Sequence, residues 1–144
     1  MNWVEHRARC DQYLGNSVEI WSQVRLAVME ACQSYTRHYA HTGVYELRCD
    51  VEHDNQLTIE RTLPPDGVFR TTTELRRLVV TFSDEHLTID VAANFPAKNI
   101  KLCIHSDEDG AYAAIERTRL SSEEASRHIL EHLLFPADER RHPV

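Results

Sequence analysis

Glycine is scarce in this chain, four in 144 residues, and none stands in a glycine-rich loop. A phosphate cradle or a dinucleotide fingerprint needs several glycines where the backbone meets the ligand, so both are excluded, and no G-x-S-x-G elbow occurs. Basic clusters are also missing. Only Arg76-Arg77 and Arg140-Arg141 stand side by side, and 16 Lys and Arg against 23 Asp and Glu leave a net charge of -7. Nucleic acid and anionic membrane surfaces both attract a surplus of cations, so neither is expected as a partner. Nowhere do about 18 apolar residues follow one another, and residues 1–14 hold no continuous apolar stretch, so no spanning helix or leader is expected. The four cysteines, Cys10, Cys32, Cys49 and Cys103, are too widely spaced for a C-x-x-C pair. They read as small buried hydrophobes in a reducing compartment, which places the protein in the cytoplasm.

What is present is the composition of one folded domain over residues 1–144, with 42% hydrophobic and 27% charged residues. Trp3, Cys10, Tyr13 and Leu14 share one side of a short helix over residues 1–14, which Gly15 can end. Asn16 and Glu19 have the spacing of a capping box for a second helix over 17–41, whose stripe is Trp21, Val24, Val28, Ala31, Cys32, Tyr35 and Tyr39. Gly43 is its natural stop. Leu26 and Met29 fall off that stripe and are candidate partner-binding residues for a homodimer.

From 44 to 118 the pattern changes to a period of two. Tyr45, Leu47, Cys49 and Val51 alternate with Glu46, Arg48, Asp50 and Glu52, and a three-residue turn at His53, Asp54 and left-handed Asn55 leads to Leu57 and Ile59, setting Arg48 opposite Glu60. After the turn signal at 64–67, the stretch 68–77 fits a strand or one helical turn equally well. Leu78, Val80 and Phe82 then pair with Leu87, Ile89 and Val91 through a turn at 83–86. Ile100, Leu102 and Ile104 return through the acidic loop 107–110 to Ala113 and Ile115, with Lys101 opposite Glu116. Ser121 to Glu124 caps a helix over 122–135 with Ala125, Ile129, Leu130, Leu133 and Leu134 inward, followed by a polar tail over 136–144. The expected fold class is therefore α+β. It is a two-layer sandwich, an antiparallel meander of about six strands packed against N-terminal helices and a C-terminal helix.

Three constellations carry possible chemistry. His128, Glu131 and His132 match the H-x-x-E-H pattern, and the segment resembles that of the inverted zinc metalloproteases, which implies two imidazole ligands and a carboxylate that activates water. The helical wheel puts all three opposite the apolar stripe, and the third ligand such a site requires has only Glu139 downstream, so a solvated helix face is the preferred reading. The acidic loop reads as a hairpin turn that uses Gly110 for its positive φ. The polar sheet face, with Glu46, Arg48, Asp50, Glu60, Asp90, Lys101 and Glu116 in rows, reads as mutually paired charges. His38, His41, His53, His86, His105 and His142 are scattered over turns, ends and wet faces. No catalytic, cofactor or metal residue is assigned. The expectation is a non-catalytic binding domain that self-associates and takes a protein or small-molecule ligand. The alternatives are a metal-dependent hydrolase built on His128, Glu131 and His132, or a carrier with a cavity between sheet and helices.

Overall fold

A computed structural model describes residues 2–39, 46–65, 67–68, 71–97, 99–107 and 110–134. Its elements run α1 (Trp3–Tyr39), β1 (Glu46–His53), β2 (Gln56–Leu63), β3 (Glu74–Ser83), β4 (Thr88–Ala93), β5 (Ile100–Asp107), β6 (Gly110–Ile115), β7 (Thr118–Leu120) and α2 (Ser122–Leu134). The strands form one antiparallel sheet in sequence order, β1 to β7, and both helices pack on one face of it, as the α+β reading requires.

The two expected N-terminal helices are one helix of 37 residues, about 55 Å long at 1.5 Å per residue. Gly15 does not end it, because glycine inside a helix costs only about 1 kcal/mol against alanine. The cap is Asn2, whose Oδ1 accepts from the Glu5 amide at 2.8 Å, and not Asn16. From Ser17 onward the helix lies on the sheet through Trp21, Val24, Val28 and Cys32. The expected stop at Gly43 and the strand start at Val44 and Tyr45 lie outside the described residues.

The strands turn their apolar positions inward as expected, except that Val51 near the end of β1 is exposed. Leu47, Leu57, Ile59, Leu78, Val80, Phe82, Ile89, Val91, Leu102, Ile104 and Ala113 turn toward the helices, where Ala125, Ile129, Leu130 and Leu133 of α2 complete the core. Arg48 is opposite Glu60, as expected. The first hairpin closes through Asp54 and Asn55 alone, with His53 opposite Gln56 and an irregularity between Val51 and His53, so the three-residue turn is corrected. Among the described non-glycine residues positive φ falls at Leu87 and Glu116, not at Asn55. Of the segment 68–77, which fits strand or helical turn by sequence, residues 69 and 70 lie outside the described residues and β3 begins at Glu74.

The β5–β6 register is also the expected one, with Cys103 opposite Ala114. Glu116 itself has left the strand for a tight turn with φ 57°, and that turn creates the seventh strand, β7. Lys101 faces Asp90 across β4 and β5.

The start of α2 has the capping box that its sequence announces. The Glu124 amide donates to Ser121 Oγ at 3.1 Å, and the Ser121 amide donates to Glu124 Oε1 at 3.2 Å. The Ser121 amide and then its hydroxyl hold the Glu124 carboxyl below its usual range, helped by Arg127 and His128 and opposed by slight burial. A carboxyl depressed by folding contributes stability above its unfolded pKa, and that contribution is lost as pH falls through the folded pKa. Glu124→Gln should therefore lower the urea midpoint at neutral pH and make no difference in strong acid, below the folded pKa. Urea titrations of both proteins from neutral pH into that acid range check this. Equal midpoints at neutral pH mean that the carboxylate charge adds nothing to the box, which glutamine can also complete.

Candidate functional site

The chemistry-bearing side chains are spread over several faces. His128 and Glu131 are exposed and His132 is half-buried, while Ala125, Ser126, Ile129, Leu130 and Leu133 turn inward. His128 and Glu131 border an open cleft of about 480 Å³ between α2 and Ala31 of α1. Among the described residues no three His, Cys, Asp or Glu gather as a metal would require. Glu139 lies outside them, as do Glu108 and Asp109 of the acidic loop and Arg140, Arg141 and His142 of the tail. Gly110 has φ 125° and faces Asp107, the conformation its turn demands.

The polar sheet face pairs its own charges. Arg48 Nε lies 2.9 Å from Asp50 Oδ2, Arg77 Nε lies 3.0 Å from Glu60 Oε1, and Thr88 Oγ1 donates to Asp90 Oδ2 at 3.2 Å. At one edge of the same face His105 and Tyr112 approach ring to ring at 5.7 Å, and the Arg119 guanidinium sits 4.6 Å over Tyr112. Tyr112 and Arg119 also border an open cleft of about 580 Å³ at the N-terminus of α2.

Under the centre of the sheet the two layers are closely packed, and the open clefts lie at their margins. Leu57, Ile59, Val80, Ile89 and Leu102 have no exposed surface at all, which leaves a carrier cavity no room among them.

The face most open to a partner is the outer and leading part of α1. Every described side chain from Asn2 to Arg9 is exposed. Trp3 is 86% exposed and Val4 78%, although Trp3 lies about five turns before Trp21 on the same side of the helix. The apolar stripe of α1 thus runs past the end of the sheet. Leu26 is 56% exposed and Val18 44%. Met29 is half-buried and packs against the core, so Leu26 and Met29 do not form the equally exposed pair that the helical wheel suggests.

No family model, curated protein or solved structure matches this chain. Function therefore has to be argued from the geometry itself.

Two features escaped the sequence reading. Arg61 is 1% exposed on the core face, where Nη1 donates to the Leu133 carbonyl at 2.8 Å and contacts that of Leu134 at 3.4 Å. Its strand partner Arg76 is also buried, 5.3 Å over the Phe95 ring and 3.4 Å from Glu74 Oε2. Strand parity with Leu57 and Ile59 assigns Arg61 to that face, but a cation is ordinarily counted as surface. The second feature is that Cys32 and Cys49, which stripe and strand each placed inward, line one cleft between α1 and β1.

Proposed function

We propose that this protein is a non-catalytic, self-associating interaction domain of the cytoplasm, a homodimer joined through α1. The observation that carries this reading is Trp3, an indole left in water on the side of α1 that becomes core from Ser17 onward. A tryptophan side chain offers roughly 150–250 Å² of contact area, and leaving it exposed forgoes that burial. This overhang, the continuous exposed stretch from Trp3 to Arg9, rises about 9 Å along the helix axis. An isolated helix of that length is marginal in water and gains from lateral packing.

A second copy supplies what the overhang lacks. Each protomer presents the overhang and, farther along the same helix, exposed Val18 and Leu26, so a two-fold arrangement buries both patches twice. No described helix is long and apolar enough to cross a membrane.

Light scattering on the full chain tests the reading, with a dimer expected at about 10 μM, an affinity near −7 kcal/mol or tighter. Trp3→Glu with Val4→Glu should weaken association at least about tenfold while leaving the sheet and α2 folded, and Leu26→Glu should weaken it less. A wild-type monomer at about 100 μM, or a dimer indifferent to all three changes, overturns it.

A further inference from the structure

We propose that Cys32 and Cys49 form a reversible dithiol–disulfide centre that is oxidised by exchange with a low-molecular-weight disulfide. Cys32 lies on the core stripe of α1 and is 2% exposed. Cys49 lies in the middle of β1 on the helix-facing side, opposite Ile59. Both border one open cleft of about 380 Å³ between the two elements, with Arg37 on its rim. Each thiol shifts the acidity of the other, as neighbouring thiols do. One helical turn beyond Cys32, Thr36 Oγ1 donates to the Leu47 carbonyl at 3.3 Å and fixes α1 to β1 at this level. The two cysteines therefore meet at one cleft between α1 and β1, on elements that the Thr36 bond holds together at this level.

The two thiols have unequal roles. The Cys32 thiol holds Cys49 below the ordinary thiol range, against the opposing effects of burial and of Asp50. The Cys49 thiol, then burial, then the charge on Cys49, pushes Cys32 well above it. Cys49 is half-buried at the open cleft and is the attacking group. Its thiolate attacks one sulfur of oxidised glutathione, the glutathione S–S bond breaks, and a first glutathione leaves as thiolate and takes up the Cys49 proton. Cys32 sulfur then attacks Cys49 sulfur and expels the second glutathione, which takes up the Cys32 proton. Two protein thiols are oxidised and one glutathione disulfide is reduced to two thiols. The product ties α1 to β1 and closes the chain between positions 32 and 49.

The test is intact-mass and peptide mapping of the full chain after incubation with oxidised glutathione. The wild type should lose two hydrogens, yield a peptide joining Cys32 to Cys49, return to the dithiol with dithiothreitol, and melt about 5 °C higher when oxidised. Cys32→Ser should instead accumulate one stable glutathione on Cys49, and Cys49→Ser should leave Cys32 unmodified. A lasting glutathione adduct on wild-type Cys49, a link through Cys10 or Cys103 or between chains, or no modification at Cys49 overturns the proposal. If Cys32→Ser does not fold, the wild-type peptide map alone decides.

Discussion

Replacing Arg61 by alanine should remove about 3–5 kcal/mol of unfolding free energy, roughly a fifth or more of the 5–15 kcal/mol that domains commonly have. Arg61 sits inside the two layers with 1% of its surface exposed. Its Nη1 serves the carbonyls of Leu133 and Leu134, in the last described turn of α2. Those carbonyls carry the negative end of the helix dipole, so the guanidinium satisfies both a hydrogen-bonding and an electrostatic demand. Alanine leaves buried acceptors unsatisfied, at about 1–3 kcal/mol, and an emptied side-chain volume that adds about as much again. Arg61→Met separates the two contributions, because it keeps most of the volume and discards the donor. It should cost about 1–3 kcal/mol, with faster amide exchange in the last turn of α2. Urea titration reads the free energies. A methionine variant as stable as the wild type would mean that the cap contributes nothing and only packing holds Arg61 in place.

The difficulty of finding Arg61 in the sequence shows where periodicity stops being informative. Alternation located the strand faces correctly because one face is wet, and a shift by one residue would expose the entire apolar set. It located the β1–β2 and β5–β6 registers for the same reason. Alternation reports the face of a residue, not whether a cation there finds a partner, and the partner of Arg61 is a helix end 72 positions along the chain. The unbroken α1 was missed for a different reason. Gly15 and the Asn16–Glu19 pair are local signals that favour a break, and cooperative packing from Ser17 onward outweighs them. The β7 strand is three residues long, too short for a period to register. On the functional side, the helical wheel placed Leu26 outward but could not show that the same helix leaves the sheet and carries Trp3 into water. Nor could spacing within one element reveal that Cys32 and Cys49 line one cleft between a helix and a strand.

Trp21 shows the opposite case, a residue whose importance the stripe announced and whose mode of anchoring only the fold reveals. Its indole stacks on Phe82 with centroids 5.8 Å apart and planes 8° from parallel, and Nε1 donates to the Asp54 carbonyl at 2.7 Å. Arg25, one turn on, donates to the same carbonyl at 3.1 Å. The helix thus holds the turn of the first hairpin by its backbone, where Asp54 and Asn55 leave the ladder. Trp21→Ala should cost about 3–5 kcal/mol, since it removes a large buried ring and the shorter of the two bonds to the Asp54 carbonyl. Trp21→Phe keeps an aromatic surface against Phe82 and loses the donor, for an expected cost of about 1–2 kcal/mol. A Trp3→Phe background leaves Trp21 as the sole indole of the two in the chain, so its fluorescence reports release from Phe82. In that background the emission should shift to the red in one cooperative step with the loss of sheet signal. Early release of Trp21, while the strands remain paired, would mean that α1 is a detachable layer and that the anchoring at Asp54 does not couple it to the sheet.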